Sequence, residues 1–255
     1  MRAGEASGTA KRVAAHRLTF DRAEATYGDP GADERLARDV AGSTTVGPSE
    51  MVTYLAARTA FFDRVLVGAL ERGVGQVVIA AAGYDGRALR YAKPGVRWFE
   101  VDHPDTQRDK RRRLERLGIE TGHVAFVPAD FAVDGVAASV VAAGHDPHVP
   151  SLFLCEGVAV YLDRPVLESL LHELRELACT GSRLVVSLSV ASGSQEQAAR
   201  RARFQAAVAA MGEPARTVLT ADDADVLFES TGWRAVPRQE RARAAGFVVV
   251  EPAPR

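Results

Sequence analysis

Gln76-Val77-Val78-Ile79-Ala80-Ala81-Ala82-Gly83-Tyr84-Asp85-Gly86-Arg87 is the stretch from which the fold can be read. Its apolar run is short and stops at a glycine, as a strand covered on both faces of a parallel sheet does. Small residues after the strand let a ligand approach the backbone, and Gly83 can take a positive φ. A tight turn without a ligand would use the same residues. The turn lacks the full dinucleotide glycine pattern and no phosphate-cradling Gly-Lys-Ser/Thr follows, which speaks against NAD and ATP.

The same texture continues outward. Arg97–Asp102, Val124–Val127, Ser151–Cys155 and Arg183–Ser189 read as further strands, with later ones at Trp233–Val236 and Phe247–Val250. Helices are expected from Pro104 to Leu117, Asp163 to Ala178, Gln195 to Met211 and Asp222 to Glu229. Alternation of this kind predicts an α/β fold, a Rossmann-like doubly wound and mostly parallel seven-stranded sheet with an N-terminal helical extension. Upstream, Ser49 is a candidate N-cap and Glu50 suits the positive end of a helix running through Leu55, Phe62 and Leu70. Residues 1–47 are polar and Gly-rich, with a short helical piece at Ala32–Val40, and read as an arm or lid. Residues 48–255 then form one domain.

Composition narrows the class. With 255 residues the chain can bury a sizeable core in a single domain. The formal net charge of -1 provides no field favouring nucleic acid or an anionic membrane. No apolar signal segment and no spanning run is visible, so a cytoplasmic location is the expectation. Cys155 and Cys179 are too few for a disulfide framework and read as buried free thiols. The run Arg108–Arg113 carries interleaved acids and no aromatics, so a solvated helix face is expected rather than an RNA patch. His145-Asp146-Pro147-His148 reads as a loop, not a metal site.

In a doubly wound sheet ligands bind beyond the carboxyl ends of the strands. Four places there carry candidate residues. Ala81 to Gly83 is the first. Glu100 and Asp102 share one side of the second strand. Asp102, nearer the end, suits the two hydroxyls of a ribose, or else starts the next helix. Asp130 with Phe131 can receive an adenine amino group and pack on its ring, and a helix cap is the rival reading for Asp130. Glu156 follows an apolar strand directly, where a carboxylate is costly to bury without a partner, an arginine or a ligand's ammonium group.

Taken in order, these places resemble class I S-adenosylmethionine-dependent methyltransferases, and more narrowly the leucine carboxyl methyltransferase-like family, whose bacterial members include natural-product O-methyltransferases. The resemblance runs over about residues 49–237. It rests on Ser49-Glu50-Met51, Ala57-Arg58-Thr59-Ala60-Phe61-Phe62-Asp63, Gly83-Tyr84-Asp85-Gly86-Arg87, Phe99-Glu100-Val101-Asp102-His103-Pro104, Pro128-Ala129-Asp130-Phe131, Glu156-Gly157, Tyr161-Leu162, Gly181-Ser182-Arg183-Leu184, Gly212-Glu213-Pro214 and Gly232-Trp233. It implies S-adenosyl-L-methionine as cofactor. Arg58 would clamp the methionine carboxylate as a bidentate fork. Ala81 and Gly83 would flank the methionine and ribose portion, Asp102 would hold the ribose, Asp130 and Phe131 would sit at the adenine, and Glu156 would lie by the methionine end or the acceptor.

Two positions depart from that family. Its usual Gly-Ala-Gly is Ala81-Ala82-Gly83 here, so a methyl group at Ala81 narrows the cofactor site. Its common Asp-Thr-Arg is Asp85-Gly86-Arg87. The implied reaction is O-methylation of a small-molecule carboxylate or hydroxyl, with no nucleic-acid or membrane partner and an oligomeric state left open. His103 is the nearest candidate base for a hydroxyl acceptor, against a helix-start role. Tyr161 and Tyr84 are candidates to line the acceptor site, and residues 192–214 to cover it. A catalytically degenerate cofactor-binding module and an NAD-dependent dehydrogenase are the alternatives.

Overall fold

The computed structural model of the chain describes residues 7–44, 47, 49–191, 215–237 and 240–254. They fall into two compact units, Met1–Asp130 and Phe131–Arg255. The first unit holds α1 (Gly8–Arg17), α2 (Pro30–Ala41), α3 (Glu50–Glu71), β1 (Gln76–Ala80), the short α4 (Arg87–Arg90), β2 (Arg97–Asp102), α5 (Pro104–Arg116) and β3 (Val124–Pro128). Its strands are parallel, with β2 between β1 and β3. Ala80 pairs with Val101 and Asp102 with Pro128, so the three carboxyl ends lie side by side.

Local chemistry accounts for the helix starts. Ser49 Oγ accepts from Val52 N–H at 3.2 Å, the expected cap of α3. Asp29 accepts from Ala32 N–H at 2.9 Å, with Pro30 in the first turn of α2. The segment expected as an arm contributes to the core. Ala14 of α1 and Ala32, Leu36 and Val40 of α2 pack with Tyr84, Leu89, Leu114 and Ile119. The polar composition of this segment hides a narrow stripe of small and branched apolar residues at helical spacing.

The second unit holds α6 (Val136–Ala142), β4 (Ser151–Cys155), a 3-10 turn (Ala159–Tyr161), α7 (Arg164–Glu176), β5 (Arg183–Ser187), α8 (Ala221–Ser230), β6 (Trp233–Ala235), α9 (Glu240–Ala244) and β7 (Phe247–Pro252). β4 and β5 are parallel, while β7 runs antiparallel between β5 and β6. Trp233 Nε1 donates to Leu171 O at 2.9 Å and its ring meets Phe153 edge-on, tying β6 to α7 and β4. The helix expected over Gln195–Met211, the cover expected over 192–214 and the Gly212-Glu213-Pro214 match lie outside the described residues. Among the described residues no helix is long and apolar enough to cross a membrane.

One expectation is corrected. The basic run of α5 is not simply a solvated face. Lys110 is buried, and its Nζ donates to Glu100 Oε2 and to Asp85 O, both at 2.6 Å. Arg113 and Arg116 reach Asp39 of α2 at 2.7 Å. A charge pattern along one helix cannot reveal which of its cations meets a carboxylate from another element.

The thiols differ. Burial pushes the Cys155 thiol up to about 12, whereas Cys179 is partly exposed. Cys179 is therefore expected to react with iodoacetamide at pH 8 in the folded protein while Cys155 stays unmodified, because the thiolate is the reactive form. Mass spectrometry of the native and urea-unfolded protein reads this. Equal labelling of both thiols in the folded state would contradict the burial of β4.

Candidate active site

The loop after β1 and the end of β2 are joined directly. Gly83 N–H donates to Asp102 Oδ2, and His103 N–H donates to Asp102 Oδ1 at 2.6 Å. Each carboxylate oxygen thus takes one backbone donor and keeps acceptor capacity. Burial raises the Asp102 pKa, opposed by the two backbone donors and by the charge of Lys110. Gly83 has φ 51°, and a Cβ there would lie 3.0 Å from Ala10 Cβ and 4.0 Å from Asp102 Oδ2. A side chain at Gly83 is therefore disfavoured both by its left-handed backbone and by the close approach of Ala10.

Ala81 has φ 55°, and it is the one non-glycine residue in the left-handed region among the described residues. An L-residue there costs about 1 kcal/mol relative to glycine. The loop thus keeps the backbone shape that a glycine would take, and the methyl group is carried at the expense of strain. Ala81→Gly is expected to raise the melting temperature by roughly 2–4 °C, the equivalent of about 1 kcal/mol in a chain of this size. Differential scanning calorimetry measures it, and an unchanged or lower value would mean that Ala81 is not strained.

Gly86 has a different cause. A Cβ at Gly86 would overlap the Asp33 carboxylate from α2. Asp33 is buried and held by Arg90 Nε at 2.5 Å and Arg22 Nη1 at 3.1 Å. The space that a threonine side chain would fill is taken by a carboxylate from a distant part of the chain.

Behind the loop lies a buried ionic network that single motifs did not disclose. Arg87, with no exposed surface, donates Nε to Asp63 Oδ1 and Nη1 to Asp85 Oδ2, both at 2.6 Å, and Nη2 to Thr59 O at 3.4 Å. Arg22 Nε donates to Asp63 Oδ2 at 2.6 Å, Tyr91 Oη donates to the same oxygen at 2.9 Å, and Arg17 Nη2 to Asp85 Oδ2 at 3.2 Å. Burial alone would raise the pKa of Asp63. Arg87 and Arg22 outweigh it and hold that carboxyl at about 2. The signal in the sequence was a charge beside Phe61-Phe62 on an apolar helix face, which demands a partner without saying which.

The other candidates are placed as follows. Arg58 is buried on α3, its guanidinium 5.8 Å from the Tyr54 ring centroid. It precedes Thr59, whose carbonyl receives Arg87, so this turn of α3 is bound to the loop. Asp130 and Phe131, both partly buried, follow β3, next to the end of β2. His103 caps α5, its Nδ1 accepting from Asp105 N–H at 3.3 Å. Glu100 is buried against Lys110, apart from any ribose role. In the second unit, Glu156 is partly buried directly after β4. The next residue, Gly157, has φ 70° and donates its N–H to Ser187 Oγ at 2.7 Å, which anchors the turn to the end of β5. Tyr161, partly buried, closes the 3-10 turn.

Residues 11–175 match the family model described as leucine carboxyl methyltransferase. The chain belongs to this family. A relative from Mycolicibacterium gilvum, named "Putative S-adenosyl-L-methionine-dependent methyltransferase", is 34% identical over 226 residues, covering 80% of this chain and 73% of the relative. A relative of the same description from Parafrankia sp. is 43% identical over 157 residues, covering 60% of this chain and 49% of the relative. The chain thus spans from about half to about three quarters of the length of these relatives. Among solved structures, it is similar to human N-acetylserotonin methyltransferase in complex with SAM, with a TM-score of 0.53 and 13% identity, over 88% of this chain and 57% of that one. It is also similar to the mitomycin 7-O-methyltransferase, with a TM-score of 0.50 and 17% identity, over 95% and 68%. At such identities the likeness establishes the Rossmann-like fold of the leucine carboxyl methyltransferase family member described above, and nothing finer.

Proposed function

We propose that the chain is an S-adenosyl-L-methionine-dependent O-methyltransferase acting on a small-molecule carboxylate or hydroxyl. The observation that carries this is the corner at Asp102. There a carboxylate held by two backbone N–H groups stands beside a glycine in the left-handed region. Such a carboxylate with spare lone pairs at a strand end is what a ribose diol requires. The family relationship and the names of the relatives support the same cofactor.

In this assignment Asp102 holds the ribose, Arg58 the methionine carboxylate, Asp130 and Phe131 the adenine, and Ala81 and Gly83 the backbone side of the site. Glu156 and Tyr161 serve the methionine end or the acceptor. The cofactor supplies an activated methyl group on a good leaving group, so the protein's work is alignment and exclusion of water.

His103 bears on the acceptor. Its Nδ1 lone pair is committed to Asp105 N–H. In the neutral ring this puts the hydrogen on Nε2 and leaves no lone pair there to take a proton. That favours the helix-start role for His103 and leaves Glu156 and Tyr161 as the candidates to serve the acceptor. The retained backbone shape at Ala81 weighs against a degenerate module.

Titration calorimetry with S-adenosylhomocysteine, followed by a radiolabelled methyl-transfer screen of carboxylic acids and phenols, tests the assignment. One-to-one binding and methyl transfer to a carboxylate or hydroxyl acceptor are expected. No binding by folded protein would overturn the cofactor, and binding without turnover on any acceptor would favour the degenerate module.

A further inference from the structure

Lys110 of α5 joins the two pieces of chain that form the Asp102 corner. Its side chain is only 2% exposed. Its ammonium group donates to Glu100 Oε2 on β2 and to Asp85 O in the loop after β1, both at 2.6 Å. These are the same two pieces that meet in the bond from Gly83 N–H to Asp102. Asp102 lies two positions beyond Glu100 on β2, so the two carboxylates share one face of the strand. A neutral tie runs alongside, for Gln107, about one turn earlier on α5, donates Nε2 to Glu100 O at 2.9 Å. Burial raises the pKa of Glu100, Lys110 opposes this, and the charges of Asp85 and Asp102 add to it. The Lys110 charge acts on Asp102 in the same direction. Neighbouring charges are engaged elsewhere or act weakly here. Asp85 has Arg87 and Arg17 as ionic partners. His103 heads α5, and its charge also favours an ionised Asp102. β3 pairs with β2 through the uncharged Val124 to Pro128, with Asp130 beyond. From α2, Asp39 meets Arg113 and Arg116 of α5.

We propose that Lys110 is a positioning residue for the ribose contact: anchored on Glu100 and on the Asp85 carbonyl, it keeps Asp102 ionised and acts on the cofactor only through that carboxylate. The inference rests on the cofactor assignment above. An ionised carboxylate accepts at both oxygens, whereas a protonated one turns one oxygen into a donor. Gly83 N–H and His103 N–H already occupy one lone pair on each oxygen. A proton on either therefore competes with what is left for a ribose hydroxyl. Burial favours that proton, and an ammonium group beside the strand opposes it. Removing the Lys110 charge should weaken binding most at acid pH, with the loss shrinking as pH rises and Asp102 ionises unaided. Removing the Glu100 charge has the opposite sign, because Asp102 loses a repelling neighbour and keeps the cation. A residue that only packed α5 onto β2 would give neither the pH dependence nor the reversal.

Calorimetric titration with S-adenosylhomocysteine at stepped pH between about 5 and 8.5 compares wild type with Lys110→Met, Glu100→Gln and Gln107→Met. Thermal unfolding at each pH confirms that the protein is folded. His103 and the ligand's own ionising groups are common to all four proteins, so affinities are read as ratios to wild type. Lys110→Met is expected to bind about 10-fold more weakly than wild type near pH 6 and to come within about 3-fold at pH 8.5, since one pH unit is a factor of ten in protonation. Glu100→Gln is expected to hold its affinity to lower pH than wild type does. Gln107→Met, which removes the neutral tie, should lower affinity by a factor that does not vary with pH. If Lys110→Met loses affinity by one factor at every pH, or loses none, the positioning role falls and the cofactor assignment stands. If folded wild type does not bind, both fall. Should Lys110→Met fail to fold, Glu100→Gln decides, and an affinity that fails at the same pH as in wild type or at a higher one would overturn the proposal.

Discussion

Asp102→Ala is expected to lower the affinity for S-adenosylhomocysteine about 100-fold, on the proposal that this carboxylate holds the ribose. Two hydrogen bonds from ribose hydroxyls to a charged acceptor contribute together about 3 kcal/mol, and each 1.4 kcal/mol is a factor of ten. Stability should move far less, because two effects oppose. Gly83 N–H and His103 N–H lose their acceptor. Against that, the carboxylate carries a burial penalty, since its pKa is raised in the folded chain. For an acid with a raised pKa, the folded state binds more protons than the unfolded one just above the usual carboxylate range. Its stability contribution therefore falls as pH rises through that window, and the substitution removes this penalty. Calorimetric titration alongside thermal unfolding separates the two readouts. A variant that keeps wild-type affinity would exclude Asp102 from the ribose.

The second large effect is on stability. Arg87→Ala leaves Asp63 and Asp85 buried with one partner fewer each, at the centre of the network that shapes the loop. Breaking a buried ion pair by removing one member costs about 3–5 kcal/mol. For a chain of this length that corresponds to a fall in melting temperature of roughly 10 °C. Removing both charges at once, as in Asp63→Leu with Arg87→Met, should recover part of the loss, because no unpaired charge is left behind. A fall of under about 3 °C in Arg87→Ala would show that the network is not tightly held.

The same network sets an acid limit. Asp63 titrates at about 2 in the folded chain, below the ordinary value of about 3.9. With a depressed pKa, its stabilisation is fully present above pH 4 and is lost as pH falls toward 2. It amounts to roughly 2 kcal/mol. Urea unfolding at stepped pH values measures the slope, and Asp63→Asn should flatten it between pH 4 and 2.

How much was legible from the sequence varies by residue. Ser49 could be read as the cap of α3 because a cap is a bond between positions three apart. Asp102 could be read as a strand-end acid because the apolar run ends there. Lys110 could not be distinguished from Arg108, Arg111 or Arg112, since what sets it apart is Glu100 on β2 and the carbonyl of Asp85. Gly86 read as a mild departure from a family motif. Its cause is Asp33, fifty-three positions earlier in the chain. Residues 1–47 read as an arm, and only the packing of Ala14, Leu36 and Val40 against Tyr84 and Leu114 shows that this segment contributes to the core.

By itself the sequence determined the strands, most helix starts and the residues at the strand ends. Those features depend on hydrophobic period and on contacts within a few residues, which a linear pattern records. Only the tertiary structure decided which charges pair, why Ala81 sits strained in the left-handed region, and that α1 lies against Gly83. Such pairings join positions tens of residues apart, and charges of opposite sign are interchangeable in a sequence until burial removes the water that would otherwise satisfy each alone.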